Sequence, residues 1–303
     1  MKKLLYCTVR LSRMGVAFLP ASGFATVGTL LASVVLTLGL TATTADAKTY
    51  KVKCNKGHSI QHRLDKKKTH NGDTIEVHGA CAESIVIARD HMNLVCVDGA
   101  SITGVAGTSN TISIRAIDVT IAGCSVSGGD AERSAIVVIR GGSATLTDNF
   151  VWGSNSSGIA VSQNSYARIT GGAVSESGSS GINVTSGSMA DIAGVNIHDN
   201  SSNGIAVVRS ASADIVGNMI VDNGSSGVFV SRTSSVAFSN DISLGRAPNL
   251  IQGNDARGIA CFDNSALQFG EPQDYGTGNG DPNGTGPDTV FEDGGFCAIS
   301  GTP

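Results

Sequence analysis

Gly158-Ile-Ala-Val, Gly181-Ile-Asn-Val, Gly204-Ile-Ala-Val and Gly227-Val-Phe-Val align without gaps, each glycine 23 residues after the last. Ala135-Ile-Val-Val stands 23 residues before the first of them. Gly258-Ile-Ala-Cys stands 31 after the last, so one turn has gained eight residues. A fixed period of this length marks a repeat architecture. Two further apolar segments recur in each period. One carries Ala167/Ile169, Ala190/Ile192, Ala213/Ile215 and Val236/Phe238; the other carries Val151, Val174, Ile197, Ile220 and Ile251. Apolar positions alternate with Ser, Asn, Asp or Arg, the two-residue period of a strand with one buried face. Gly, Ser and Asn fill the gaps, as turns require. Three short strands cannot close a core by themselves, so each must pair with its counterpart in the next repeat. The reading is all-β: a right-handed parallel β-helix with three short strands per coil, over residues 73–269. A propeller blade would need a period of about 40 residues, and a sandwich would show hairpin turns without a strict period.

Outside the repeat, the chain divides into three further parts. Residues 1–47 read as an export signal: Lys2, Lys3, Arg10 and Arg13 precede an apolar run densest from Ala25 to Leu40, and Ala45-Asp46-Ala47 offers a small-x-small cleavage site. The run is broken by Gly and Thr and falls short of a span, so no membrane anchor is expected after cleavage. Residues 48–72 form an N-terminal cap, in which Ser59 starts a short capping helix with Ile60 and Leu64 on one face. Asn71-Gly-Asp-Thr-Ile-Glu-Val then opens the first strand. Residues 270–303 begin as a Gly/Asp-rich loop, and Phe291 to Ile299 are expected to fold back over the last coil.

Charge and cysteine content narrow the function classes. Residues 48–303 hold 17 bases and 24 acids, and beyond residue 100 there are eight Arg and no Lys. That acidic body argues against nucleic acid, whose phosphates it would repel. Six cysteines follow the signal: Cys54, Cys81, Cys96, Cys124, Cys261 and Cys297. In an exported chain an even number suggests up to three disulfides, and a secreted or periplasmic location. Sequence does not fix their connectivity; the favoured pairs are Cys54–Cys81 at one end and Cys261–Cys297 at the other.

The stretch Gly57-His-Ser-Ile-Gln, then Asn71-Gly-Asp-Thr-Ile-Glu-Val, then Cys81-Ala-Glu-Ser-Ile-Val-Ile resembles the entry motif of the pectate-lyase-like superfamily. The Gly-Ile-x-Val repeats resemble its right-handed β-helix repeats. The resemblance covers nearly all the chain after the signal and is specific for fold. It implies a range of roles, from polysaccharide lyases, hydrolases and epimerases to tailspikes and adhesins, so function must be argued from a site. In lyases of the superfamily, acids on one sheet face hold calcium and an Arg or Lys acts as base. Here the outward column of the first sheet is Val137, Ala160, Asn183, Ala206, Phe229 and Ala260, with neither acid nor base.

Stacked coils turn sequence columns into ladders, and several carry chemistry. The turn after the first sheet stacks Arg209, Arg232 and Asp263, and the second sheet stacks Arg168, Asp191 and Asp214. Such arginines could hold an anionic sugar through paired hydrogen bonds. The third sheet ends in Glu176, Asp199 and Asp222, stacked carboxylates that a Ca²⁺ ion would reconcile or that splay into water. His198 lies beside Asp199 as a weak base candidate. Ser154, Ser177, Asn200, Asn223 and Asn254 form a neighbouring ladder of structural character. Asp281, Asn283, Thr285 and Glu292 match four ligand positions of a twelve-residue calcium loop, without flanking helices.

Two functions compete. One is association with a polysaccharide or cell-surface glycan, as ligand or substrate, with catalysis unproven. It would use Arg209, Arg232 and His198, with Asn183, Trp152 and Arg246 as contacts and the insertion at Ser243–Asn249 as a groove wall. The other is a non-catalytic adhesion or structural module, suggested by the bland first-sheet face and the scarcity of aromatics. Lys66, Lys67 and Lys68 add the idea of docking to an anionic surface.

Overall fold

In the computed structural model, residues 47–130, 133–239, 247–270, 290–292 and 297–300 are described. Their strands fall into three parallel ladders. The first sheet has nine strands among the described residues, in chain order from Ile85–Ile87 to Val290–Glu292. The second ladder begins at Thr49–Lys53 and ends at Cys297–Ser300. The third includes Ser125–Ser127 and ends at Leu250–Gln252. The long strands Thr74–Ala82 and Asn93–Thr103 pass through both the second and third columns, with a register shift between His78 and Ala80. They fuse those two ladders into one sheet.

Register repeats coil after coil. Ile159 pairs with Ile182, then Ile205, Val228 and Ile259. These side chains are sealed from solvent, as are Ala167, Ala190, Val174 and Ile197 of the other ladders. Each buried Ile or Val contributes roughly 1.5–3 kcal/mol, so an unbroken apolar column is the main stabilising term.

The corners explain the polar columns. Asn200 donates its amide to Asn223 Oδ1 at 2.9 Å, and Asn223 donates to Asn254 Oδ1 at 2.9 Å. Each amide also donates to a main-chain oxygen of an earlier coil, Val174 O and Ile197 O. The same oxygens of Asn223 and Asn254 accept the backbone N–H of Asn200 and Asn223. A second relay, not anticipated from sequence, links Asn218 to Asn249 at the corner between the second and third sheets. Both relays cross the enlarged coil, spanning 31 residues between partners.

The glycine of Gly-Ile-x-Val is dictated by this packing. A Cβ on Gly204 would lie 2.5 Å from Ile220 Cγ2 and 2.8 Å from Gly227 O, and one on Gly227 would meet Asn254 Nδ2 at 2.9 Å. The corner leaves no room for a methyl group.

At the N-terminal end, the expected short helix spans Ile60–Asp65, with Ile60 and Leu64 buried. Ser59 Oγ accepts from His62 N, and the Glu83 carboxylate accepts from Ile60 N and Gln61 N. The ladder starts earlier than expected. Thr49–Lys53 is already a strand, paired with Thr74–His78, because Tyr50-Lys-Val alternates around buried Val52. The other end also differs: Val290–Glu292 and Cys297–Ser300 pair in parallel with Ile259–Cys261 and Ser265–Gln268. They add one more coil instead of folding back, since each finds an unpaired strand edge waiting.

Three disulfides close between adjacent rungs: Cys54–Cys81, Cys96–Cys124 and Cys261–Cys297, with Cα separations of 5.1, 4.8 and 5.9 Å. Two of them are the pairs favoured from sequence. Among the described residues no helix is long and apolar enough to cross a membrane.

The corner packing makes two substitutions informative. Gly204→Ala should cost about 1–3 kcal/mol in guanidinium unfolding, as overpacking does. Asn223→Ala strands several buried donors and acceptors and should cost more, roughly 3 kcal/mol or beyond. Wild-type midpoints for both variants would refute a stabilising role for the corner.

Candidate functional site

The turn between the first and second sheets carries two consecutive residues of positive φ in coil after coil: Gln163/Asn164, Ser186/Gly187, Arg209/Ser210, Arg232/Thr233 and Asp263/Asn264. Gly, Asn or Asp fit such a corner at little cost, whereas an arginine there carries a left-handed penalty of roughly 1–2 kcal/mol. Arg140, Arg209 and Arg232 nevertheless occupy its first position, with φ of 61°, 61° and 58°. The corner lifts Arg209 and Arg232 outward, and both are exposed. Neither forms an ion pair among the described residues.

These arginines border an open groove of about 370 Å³, with Asn183, Thr185, Phe229 and Asp263 among its other lining residues. Asn183 lies between Ala160 and Ala206 on the first-sheet face, and Phe229 pairs with Ala206 one coil on. The small neighbours leave Asn183 and Phe229 as the relief of that face. Asn183 Oδ1 is screened from water and has no hydrogen-bond partner among the described residues. A turn of the side chain would present this unused acceptor to a donor in the groove. The Phe229 ring leans on Phe262, centroids 5.6 Å apart, which fixes its orientation.

So four of the residues singled out from sequence converge: Asn183, Arg209, Arg232 and Asp263. The others lie elsewhere. Trp152 and His198 face outward from the third sheet, where Trp152 donates to Ser125 Oγ at 3.3 Å and His198 Nδ1 is 2.7 Å from Asp199 Oδ2. The eight extra residues fall between Ser235–Phe238 of the second sheet and Leu250–Gln252 of the third. That is a different corner from the arginines, so the insertion does not arise beside their groove. Arg246 lies outside the described residues.

Glu176, Asp199 and Asp222 are exposed at left-handed corners with φ of 53°, 54° and 53°. Asp tolerates that conformation because its short side chain can bond locally, which accounts for Asp199 and Asp222 in backbone terms. Among the described residues, the one group of three His, Cys, Asp or Glu ligand atoms lying close together is Cys54, Cys81 and Glu83, and its cysteines form a disulfide. The first-sheet face offers no carboxylate along Val137, Ala160, Asn183, Ala206, Phe229 and Ala260, and does not fit a calcium ion of the lyase kind. Asp281, Asn283 and Thr285 lie outside the described residues, and Glu292 ends the strand Val290–Glu292.

A second groove of about 380 Å³ lies over the second sheet and includes Asp191, Asp214, Gln268 and Ile299. Asp191 and Asp214 belong to the column that sequence reading found with Arg168, which stands one coil before the groove's edge together with Tyr166, a residue that reading missed. The Tyr166 hydroxyl donates to Asp191 Oδ2 at 2.5 Å, and Arg168 Nη2 stands 3.4 Å from the same oxygen. Burial, reinforced by the hydrogen bond and charge of Asp191, raises the Tyr166 pKa above the ordinary tyrosine value. Tyr166 therefore stays a protonated donor at neutral pH. In Asp191→Asn the Tyr166 pKa should fall toward the ordinary value, as read by ultraviolet titration of the phenolate. An unshifted curve would remove Asp191 as its partner.

Comparison with known proteins agrees with the fold. A family model described as "Right handed beta helix region" matches residues 98–271. No curated protein sequence matches the chain. Among solved structures, a variant of the periplasmic alginate epimerase AlgG superposes with a TM-score of 0.57 at 13% identity, covering 77% of this chain and 60% of that one. Pectate lyase Pel9A gives a TM-score of 0.48 at 12% identity, over 84% of this chain and 78% of that chain. An alginate lyase from Paenibacillus sp. gives 0.43 at 13% identity, over 84% of this chain and 97% of that chain. The chain spans about 60% of the length of the epimerase. At this identity the epimerase superposition shows a shared fold alone.

Proposed function

The chain belongs to the right-handed β-helix family, and from its groove we propose that it binds an anionic polysaccharide outside the cytoplasm. The observation that carries this reading is the pair Arg209 and Arg232, set one coil apart at strained corners and left without carboxylate partners among the described residues. Strain retained at a surface position is a reason to look for function there. Their spacing follows the rung separation of roughly 4.8 Å, which is of the same order as one sugar unit. Two carboxylates on successive units of a chain lying along the groove could each receive a charge-assisted hydrogen bond. Asn183 Oδ1 would accept from a sugar hydroxyl, and Phe229 would offer an apolar surface to a ring face.

Alginate, the polymer named for the epimerase of similar fold, is one polyanion of this class. The three disulfides support a site of action beyond the reducing cytoplasm. Asp263 is the one carboxylate lining the groove and no histidine or lysine lines it, so proton transfer there would rest on Arg209 and Arg232. Recognition asks of those residues only their charge and hydrogen bonds.

The test is binding of the purified protein to alginate and polygalacturonate against neutral dextran, by calorimetry at several salt concentrations. The acidic polymers should bind, more weakly as salt rises. The Arg209→Gln/Arg232→Gln variant should lose roughly tenfold or more per arginine with an unchanged circular dichroism spectrum. Equal binding of dextran, or an unaffected double variant, would overturn the proposal. Reducing ends or unsaturated products appearing during incubation would add catalysis to it.

A further inference from the structure

A second concave site lies at the N-terminal end of the coil, and no carboxylate lines it. Lys51, His58, Ser59, His62, Arg63 and Lys66 border about 370 Å³. Three local structures bring them together. Lys51 comes from the first strand. His58 follows the tight turn Cys54–Lys56, which Gly57 ends in a left-handed conformation and the Cys54–Cys81 disulfide pins. His62 and Arg63 come from the short helix, and Lys66 is its C-terminal cap.

The charges of this site are poorly balanced from within. The Arg63 guanidinium lies on the Tyr50 ring, Cζ 3.1 Å from the centroid. Its Nε and Nη2 are screened from water and find no acceptor among the described residues. A guanidinium held on an aromatic face keeps its donors in a fixed plane, and donors left unpaired are costly unless something binds them. Neither Arg63 nor Lys66 forms an ion pair among the described residues. The nearby carboxylates neutralise Lys51 and hold Ser59 but do not reach Arg63 or Lys66. Glu83 holds Ser59 Oγ, Ile60 N and Gln61 N; Asp65 accepts from Gln61 Nε2; Glu76 takes Lys51 at 3.3 Å and His78 at 2.6 Å. His58 Nδ1 accepts from Lys53 N, which leaves its Nε2 as a donor.

We propose that this cap pocket is an oxyanion site, with Arg63 and Lys66 as charged donors and His58 and His62 as hydrogen-bond donors to a group the size of phosphate. It is separate from the arginine groove in residues and in position along the chain, and does not depend on the function proposed for that groove. A free anion and a phosphate-bearing lipid headgroup share this chemistry.

The experiment is a titration of the full exported chain with inorganic phosphate at low ionic strength, following the ring signals of His58 and His62 by NMR. Saturable shifts of both rings in the millimolar range are expected. Lys66→Gln/His62→Gln, which alters two exposed side chains, should weaken phosphate at least fivefold, read on His58. Arg63→Lys keeps the charge over Tyr50 but loses the planar fork and should also bind more weakly. The Arg209→Gln/Arg232→Gln variant should bind phosphate as the wild type does. In a parallel arm, pelleting with phosphatidylglycerol vesicles by the wild type but not by Lys66→Gln/His62→Gln would identify a headgroup as the source, and phosphate binding without pelleting would identify a free anion. Absence of a saturable shift, or equal affinity in the cap variants, would overturn the site.

Discussion

Burying a polar corner inside a stack of coils sends its donors and acceptors mainly along the stack to find partners, with a bond or two inside the coil, as from Asn223 to Val221 O. Asn200, Asn223 and Asn254 meet this requirement by passing hydrogen bonds from each coil to the next. Each amide also takes up a carbonyl of an earlier coil, so one side chain ties three levels together. A buried amide without these bonds would cost several kcal/mol, which makes the coil-to-coil translation a condition of folding at all. The glycine column follows from it. Coils close enough to share amide bonds leave no space for a Cβ between Gly204 and Gly227 O.

With the interior so constrained, variation is confined to the outward columns and the corners. The enlarged coil carries its eight extra residues between Phe238 and Leu250, and both asparagine relays continue across it. The same freedom lets the first-sheet face alternate Ala with Asn183 and Phe229, and lets arginines stand at corners where Asn or Gly would be easier. Chemistry in this fold is therefore written on columns, one residue per coil, and a ligand that is itself a linear repeat suits that geometry.

This column logic also decides how much was legible in the sequence. Ladder neighbours follow from counting 23 residues, so the core, the corner turns and the meeting of Asn183 with Arg209 and Arg232 could be read directly. Features outside the period could not. Thr49–Lys53 and the last coil lack the Gly-Ile-x-Val signature, and only their pairing with an existing edge reveals them as strands. The insertion at Ser243–Asn249 could be placed by counting, but that its corner differs from that of Arg209 and Arg232 follows only from the strands on either side of it. Tyr166 reaching Asp191, and Arg63 lying on Tyr50, depend on side-chain rotamers that cross between columns. The acidic column Glu176, Asp199 and Asp222 reads as a ligand set, yet its positions are those where the backbone takes a left-handed turn.

The placement of the disulfides has a consequence for how long such a molecule lasts. A stack of coils touches only its neighbours, so it ordinarily frays from its ends inward. Here Cys54–Cys81 and Cys261–Cys297 lock the first and last rungs among the described residues, and Cys96–Cys124 reinforces the third. While the bonds hold, opening must start in the middle, where two coil interfaces have to part at once. Once they are reduced, a protease can take the stack apart one rung at a time from either end. Durability thus becomes a property of the surroundings: the same chain is long-lived where it is oxidised and short-lived wherever thiols reach it.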